Sequence, residues 1–228
     1  MNREQVIQKI IDVTKAKRYL EIGVYQGTTF QKIRCRRKVA VDPDFHISLR
    51  SKARFILRNL GSVYYKMTSD DFFAHYRNRQ KFGVVFIDGL HNYRQSFIDV
   101  GKALDVLNEG GVIIMHDCNP PTAAAAVPAN SWYEADAMNL PGWTREWNGD
   151  VWKTIARLRS TRNDLNVIVL DCDYGLGLIT RGLSEKTLGL TPNQVDNLTY
   201  ADLVSHRQEW LNLKPVSYLE QFLDSLAI

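Results

Sequence analysis

The stretch Tyr19-Leu20-Glu21-Ile22-Gly23-Val24-Tyr25-Gln26-Gly27 decides how this chain folds. Its first four residues read as a short buried strand, and Gly23 and Gly27 let the backbone turn tightly and bring amide groups close to a ligand. Thr28 and Thr29 offer a side-chain cap to the helix expected next. Upstream, Val6, Ile7, Ile10, Ile11 and Val13 recur at helical spacing, so the chain opens as helix, strand, glycine loop and helix. Downstream the alternation continues. Strands are expected at 39–41, 63–65, 84–87 and, after the Gly110-Gly111 turn, 112–115; helices are expected at 47–60, 70–79 and 93–107. Strands alternating with helices, without hairpin signals, predict a doubly wound and mostly parallel α/β sheet covered on both faces.

The chain has 228 residues, 45% of them hydrophobic and 24% charged. Such a chain can bury a full core, and this balance excludes a disordered or fibrous protein, so one domain over 1–228 is expected. No apolar run approaches the roughly 18 residues of a membrane span, and 1–17 mixes charge with aliphatics in place of a signal-peptide core. A cytoplasmic protein without a membrane partner is the expectation. Cys35, Cys118 and Cys172 are too scattered for a disulfide framework or a zinc site and read as reduced packing residues. The net charge of +4 is modest. The basic residues Lys15, Lys17, Arg18, Arg34, Arg36, Arg37 and Lys38 read as solvated surface. Asn119-Pro120-Pro121 is followed by Thr122, not by the tyrosine of a base-methylating motif, so no nucleic-acid partner is expected.

After Asp117 the rhythm breaks. Residues 118–150 read as an inserted segment too aromatic for a solvated linker, with Trp132, Tyr133, Trp143 and Trp147 forming a lid or a wall against a small-molecule acceptor. A helix at 151–158, a strand at 167–170 and a last strand at 177–180 follow, the strands joined by a hairpin through 171–175. Residues 184–228 form a C-terminal helical extension. Its final stretch, 216–226, has an apolar face that could dock on its own domain or on a second copy, leaving a homodimer open.

In an open parallel sheet the ligand sits outside the carboxyl ends of the strands, where strand order reverses beside the first strand. Asp42, at the end of the second strand, is placed to accept hydrogen bonds from ribose hydroxyls. The GxxxG spacing and the acid Glu21 argue against the GxGxxG loop of a nicotinamide oxidoreductase, because a pyrophosphate disfavours a nearby carboxylate. A sulfonium cofactor with an ammonium group has no phosphate to repel.

These blocks, together with Phe86-Ile87-Asp88-Gly89-Leu90-His91-Asn92-Tyr93 and Gly110-Gly111-Val112-Ile113-Ile114-Met115-His116-Asp117, resemble class I S-adenosylmethionine-dependent methyltransferases. The likeness is to the type 24 methyltransferase family and the related catechol and caffeoyl-CoA O-methyltransferases. It implies a Rossmann-like sheet of seven strands with the last antiparallel. It also implies that Glu21, Gly23, Val24, Tyr25, Gly27 and Thr28 flank the methionine part of S-adenosyl-L-methionine. By the same likeness Asp42 holds the ribose, Ser69 and Asp70 lie near the adenine, and Asp88 borders the cofactor.

Methyl transfer needs an acceptor nucleophile held in line and relieved of a proton. Asp88 and Asp117 end adjacent strands and could converge on a divalent cation, magnesium first, with Asn119 or His116 as a third ligand in place of Cys118, whose thiol suits magnesium poorly. His91 is the first candidate base and His116 the second; Asp88 completes the catalytic set. The alternative reading is a metal-centred, hydroxylase-like enzyme that uses Asp88, His91 and His116 as ligands, or a non-catalytic binding protein on the same fold. Gly149-Asp150-Val151-Trp152-Lys153 is also shared with the type 24 relatives, without a role that the sequence reveals.

Overall fold

The computed structural model describes residues 1–47, 61–76 and 81–227. Helix α1, Arg3–Thr14, is started by a capping box: Asn2 accepts from the Gln5 N–H while the Gln5 side chain accepts from the Asn2 N–H. Its buried face is Val6, Ile7, Ile10 and Ile11. Strand β1, Arg18–Ile22, leads into helix α2, Thr28–Lys32, and strand β2, Arg37–Val41. The expected threonine cap is not made. Gly27, at φ 73°, stands at the helix start, and neither threonine makes a side-chain cap bond.

Strand β3 (Ser62–Tyr65), helix α3 (Ser69–Tyr76), strand β4 (Phe82–Ile87), helix α4 (Tyr93–Val106) and strand β5 (Leu107–Met115) follow in the expected order. Most of the helix expected at 47–60 and the end of that at 70–79 lie outside the described residues. The Gly110-Gly111 pair lies inside β5, where the pairing with β4 shifts register between Phe82 and Val84. Gly110 takes φ 69° there, so the expected turn is an irregularity of the strand. Helices α5 (Trp132–Ala137) and α6 (Trp152–Thr161) precede strands β6 (Leu165–Leu170) and β7 (Leu176–Arg181), which form the expected antiparallel hairpin. Helices α7 (Pro192–Asp196), α8 (Tyr200–Trp210) and α9 (Tyr218–Leu226) complete the chain, with a two-residue strand β8, Leu213–Lys214, before the last.

The sheet runs β3-β2-β1-β4-β5-β7-β6-β8. Only β7 is antiparallel to its neighbours, and β8 adds an eighth strand to the seven expected. Strand order reverses between β1 and β4, which pair in parallel from Tyr19 with Val84 to Ile22 with Ile87. Apolar layers cover both faces. The apolar face of α9, Leu219, Phe222 and Leu223, is buried in the same layer as the inner face of α1, so this stretch docks on its own domain. Among the described residues no helix is long and apolar enough to cross a membrane.

Lys38 is a correction to the basic surface expected from sequence. It is fully buried, its ammonium donates to the carbonyls of Phe30 (2.6 Å) and Ile33 (2.7 Å) at the end of α2, and burial pushes its pKa down to about 8.

Candidate active site

The glycine loop crosses the carboxyl ends of β1 and β4. A Cβ on Gly23 would lie 2.0 Å from the Asp88 carbonyl, and Gly23 holds φ 81°, so only glycine lets the two backbones meet. Tyr25 is exposed at φ 46°, and Thr28 is exposed, while Val24 is buried in the core layer below. Asp42 braces this loop: one carboxylate oxygen accepts from the Tyr25 N–H and the other from the Asp44 N–H, both at 2.7 Å. Each oxygen keeps a second lone pair for a ligand hydroxyl.

Glu21 lies almost wholly buried near the end of β1. Its carboxyl is 1% exposed, accepts from the Tyr19 hydroxyl at 2.5 Å, and is pushed up to about 8 by burial against the opposing pull of Tyr19 and Lys38. Ser69 and Asp70 begin α3 and share the amide of Gln95, which also donates to Asp99 at 3.0 Å.

The ends of β4 and β5 bring together what the sequence singled out. The donor atoms of Asp88, His116 and Asp117 lie within 4.8 Å of one another. His116 Nδ1 is 3.2 Å from Asp88 and 3.1 Å from Asp117, and His91 Nε2 is 3.1 Å from Asp117 and 3.5 Å from Asp88. These approaches are close, yet none of them gives Asp117 Oδ2 a well-aligned hydrogen bond, and buried His116 Nε2, 3.5 Å from Asp173 Oδ1, has none either. Buried atoms left so are costly unless something else satisfies them. A divalent cation fits this donor set of two carboxylates and one imidazole, and the imidazole admits a softer ion than magnesium. Asn119 is not part of it. Its amide donates to Asp171 at 3.0 Å and its oxygen accepts from Arg207, because Asn119 N–H pairs with the Tyr174 carbonyl on the β6–β7 hairpin and turns the side chain away. Of the two residues the sequence offers as third ligand, His116 is the one whose donor atom converges with Asp88 and Asp117.

Charge couples the cluster. Burial lowers the His91 pKa, but Asp117 and Asp88 outweigh it and raise it to about 9; they lift His116 well above 6.5 in the same way. Burial raises Asp88, and the two histidines overcome that and hold it well below 3.8.

Several residues support this centre, of which Trp147 and Gly149-Asp150 were singled out from sequence without this role, and Asn148 and Ala125 were not. The Trp147 carbonyl accepts from His91 Nδ1 at 2.6 Å, which fixes the tautomer and leaves Nε2 facing the carboxylates. The Asn148 amide donates to Asp117 Oδ1 at 2.5 Å, and Asp150 accepts from the Tyr93 N–H at 2.7 Å. A Cβ on Gly149 would lie 1.8 Å from the His91 carbonyl. The Ala125 carbonyl takes the N–H groups of Asn148 (2.8 Å) and Gly149 (3.0 Å), so the alanine run anchors this strap. Residues 147–150 thereby clamp His91, Asp117 and the start of α4, a role for the shared Gly149-Asp150. The only sequence signal was that likeness, since the contacts span distant positions. Of the four expected wall aromatics, Trp147 lies against His91 with ring centroids 5.1 Å apart; Trp132 packs under Arg145, Trp143 bonds to Asp136, and Tyr133 is 80% exposed. Tyr93, 8% exposed, packs with Ala156 and Val195.

A family model described as a methyltransferase domain matches residues 20–118. No curated protein matches the chain in sequence. Solved structures of similar fold include the S-adenosylhomocysteine-bound methyltransferase PaMTH1 of Podospora anserina, with 19% identity, a TM-score of 0.55 and 80% of each chain covered. Another is the O-methyltransferase TomG of Streptomyces achromogenes, in complex with S-adenosylmethionine and involved in tomaymycin synthesis, with 15% identity, a TM-score of 0.54, and 78% of this chain and 79% of that one covered.

Proposed function

We propose that the chain, a methyltransferase by the domain over residues 20–118, moves a methyl group from S-adenosylmethionine to an oxygen of a small hydroxylated metabolite or sugar. The observation that carries this reading is the backbone contact of Gly23 with Asp88, which sets the cofactor loop directly against the Asp88–His91–His116–Asp117 centre. A donor on the loop and an acceptor at the centre would then be neighbours, as in-line transfer requires.

In this reading Asp42 holds ribose hydroxyls, the backbone of 23–27 lies along the methionine part, and Ser69 and Asp70 border the adenine. Glu21 serves by bracing the loop from below. Asp88, His116 and Asp117 would hold a divalent cation. When bound, S-adenosylmethionine supplies an electrophilic methyl group and the cation a positive centre that acidifies a hydroxyl. His91 Nε2 is the atom that would take the acceptor proton once positive charge at Asp88 and Asp117 offsets the carboxylates that otherwise keep the ring protonated, since Nδ1 is committed to Trp147. Trp147 and the strap 147–150 shape the acceptor side, and 118–150 acts as its wall. The helical extension, as far as residue 227, packs on the domain. We place the protein in the cytoplasm.

A second reading, oxidative chemistry at a bound metal, draws support from the imidazole in the donor set, which suits iron or copper better than magnesium. Calorimetric titration of S-adenosylhomocysteine, S-adenosylmethionine and NAD, each with and without magnesium, separates the readings. Micromolar binding of the first two, lost in Asp42→Ala, is expected. Binding of NAD alone, or activity only with iron or copper, would overturn the methyl-transfer reading.

A further inference from the structure

Arg3, the first residue of α1, reaches into the acceptor centre. Its backbone N–H donates to Asp173 at 2.6 Å, and its Nε lies 3.3 Å from the same oxygen. Its Nη1 donates to Asp88 at 2.7 Å and lies 3.2 Å from His116 Nδ1. One guanidinium nitrogen therefore touches two of the three residues whose donor atoms converge. An arginine cannot shed its charge at any working pH. A divalent cation bound to His116 Nδ1 at roughly 2 Å would place its charge beside Arg3 Nη1, which lies 3.2 Å from that nitrogen and 2.7 Å from Asp88 Oδ2, while Asp88 Oδ1 faces the histidines.

We infer that the Arg3 guanidinium holds the place of a divalent cation at the Asp88–His116 side of the centre, and that cation binding displaces it and loosens the first turn of α1. The inference rests on the metal-site part of the proposed function and is independent of methyl transfer. Two positive groups cannot share those ligands: the geometry makes them alternatives, with the N-terminal turn as the moving part. Asp173 accepts the Arg3 N–H at the positive end of α1, so the turn has a resting place when Arg3 is in. By linkage, whatever free energy ties Arg3 to Asp88 is subtracted from cation affinity, and a bound cation subtracts the same amount from the docking of that turn.

The test is manganese binding to wild type and to Arg3→Gln, read by calorimetry and by the electron spin resonance of the free ion. S-adenosylhomocysteine binding is measured alongside to report a folded cofactor loop. Arg3→Gln is expected to bind manganese about ten-fold tighter or more, with S-adenosylhomocysteine affinity unchanged. Equal or weaker manganese affinity in the variant overturns the inference and leaves the metal site standing. No manganese binding by either protein, both retaining S-adenosylhomocysteine, overturns the inference and the metal site together. Hydrogen exchange on the wild type removes dependence on the variant's folding: manganese at saturation should speed exchange of the amides of residues 3–7, and unchanged exchange with manganese bound overturns the inference.

Discussion

Asp99 is 2% exposed on α4 and accepts from Gln95, and burial pushes its pKa up to about 6. Between pH 3.8 and about 6 the folded state keeps a proton that the unfolded state has lost, so stability falls as pH rises through that window and the full penalty stands above it. Asp99→Asn should remove the slope and stabilise the protein above pH 6 by at most about 3 kcal/mol; melting temperatures of both proteins at pH 4.5 and 7.5 check this, and a variant no more stable at the higher pH refutes it. Gly149 carries a different kind of constraint. At φ 62°, with the His91 carbonyl 1.8 Å from where a Cβ would stand, Gly149→Ala must push the strap off His91. We expect a loss of about 2 kcal/mol or more in equilibrium unfolding, with kcat falling further than KM rises, because the base and Asp117 lose their fixed geometry. An active, equally stable variant would show that the clamp is dispensable. Little of this was legible in the sequence: Asp99 looks ordinary there, Gly149 stands out only in a block shared with the type 24 relatives, and what marks their roles is a burial and a backbone contact created by distant chain.

At the scale of elements, α1 and α9 lie at opposite ends of the sequence and share one apolar layer, with Phe222 4% exposed in the cluster that includes Val6, Ile7 and Ile10. Phe222→Ala should cost about 3–5 kcal/mol, while Val204→Ala, on an exposed part of α8, should stay within about 0.5 kcal/mol. Chemical denaturation of the two variants measures the contrast, and a similar cost for both would mean that α9 is not part of the cooperative unit. The amphipathic pattern of 216–226 announced a docking face but left its partner open, since periodicity reports that a face is apolar and not what covers it. Strands β1, β2 and β4 were legible because they are buried on both faces and so read as near-continuous apolar runs. Strand β5 was legible only from Val112 onward: its first part, Leu107 to Gly111, carries an acid and two glycines and forms an irregular ladder that no local pattern announces. The two-residue β8 has no pattern at all.

At the scale of the molecule, the order of the sheet puts two ligand regions side by side at the reversal between β1 and β4. The sequence placed Asp42, Asp88, His91, His116 and Asp117 at strand ends and so at one edge, which is a consequence of parallel topology. It could not show that Glu21 accepts from the Tyr19 hydroxyl in the core or that Asn119 follows the hairpin, because these contacts are fixed only in the folded chain. A metal and a cofactor bound this close would each stabilise the fold, and the two effects can be separated by residue. At about 100 times its dissociation constant, a ligand that binds only the folded chain adds roughly 2.7 kcal/mol. Asp117 sits at φ 62°, a conformation that asparagine tolerates, and Asn148 can still donate to an amide oxygen there. Asp117→Asn should therefore fold normally, keep the rise in melting temperature with S-adenosylhomocysteine and lose the rise with manganese. Asp42→Ala should do the reverse. Loss of both responses in either variant would mean that loop and centre form one indivisible site, and that the contact of Gly23 with Asp88 transmits binding energy as well as fixing distance.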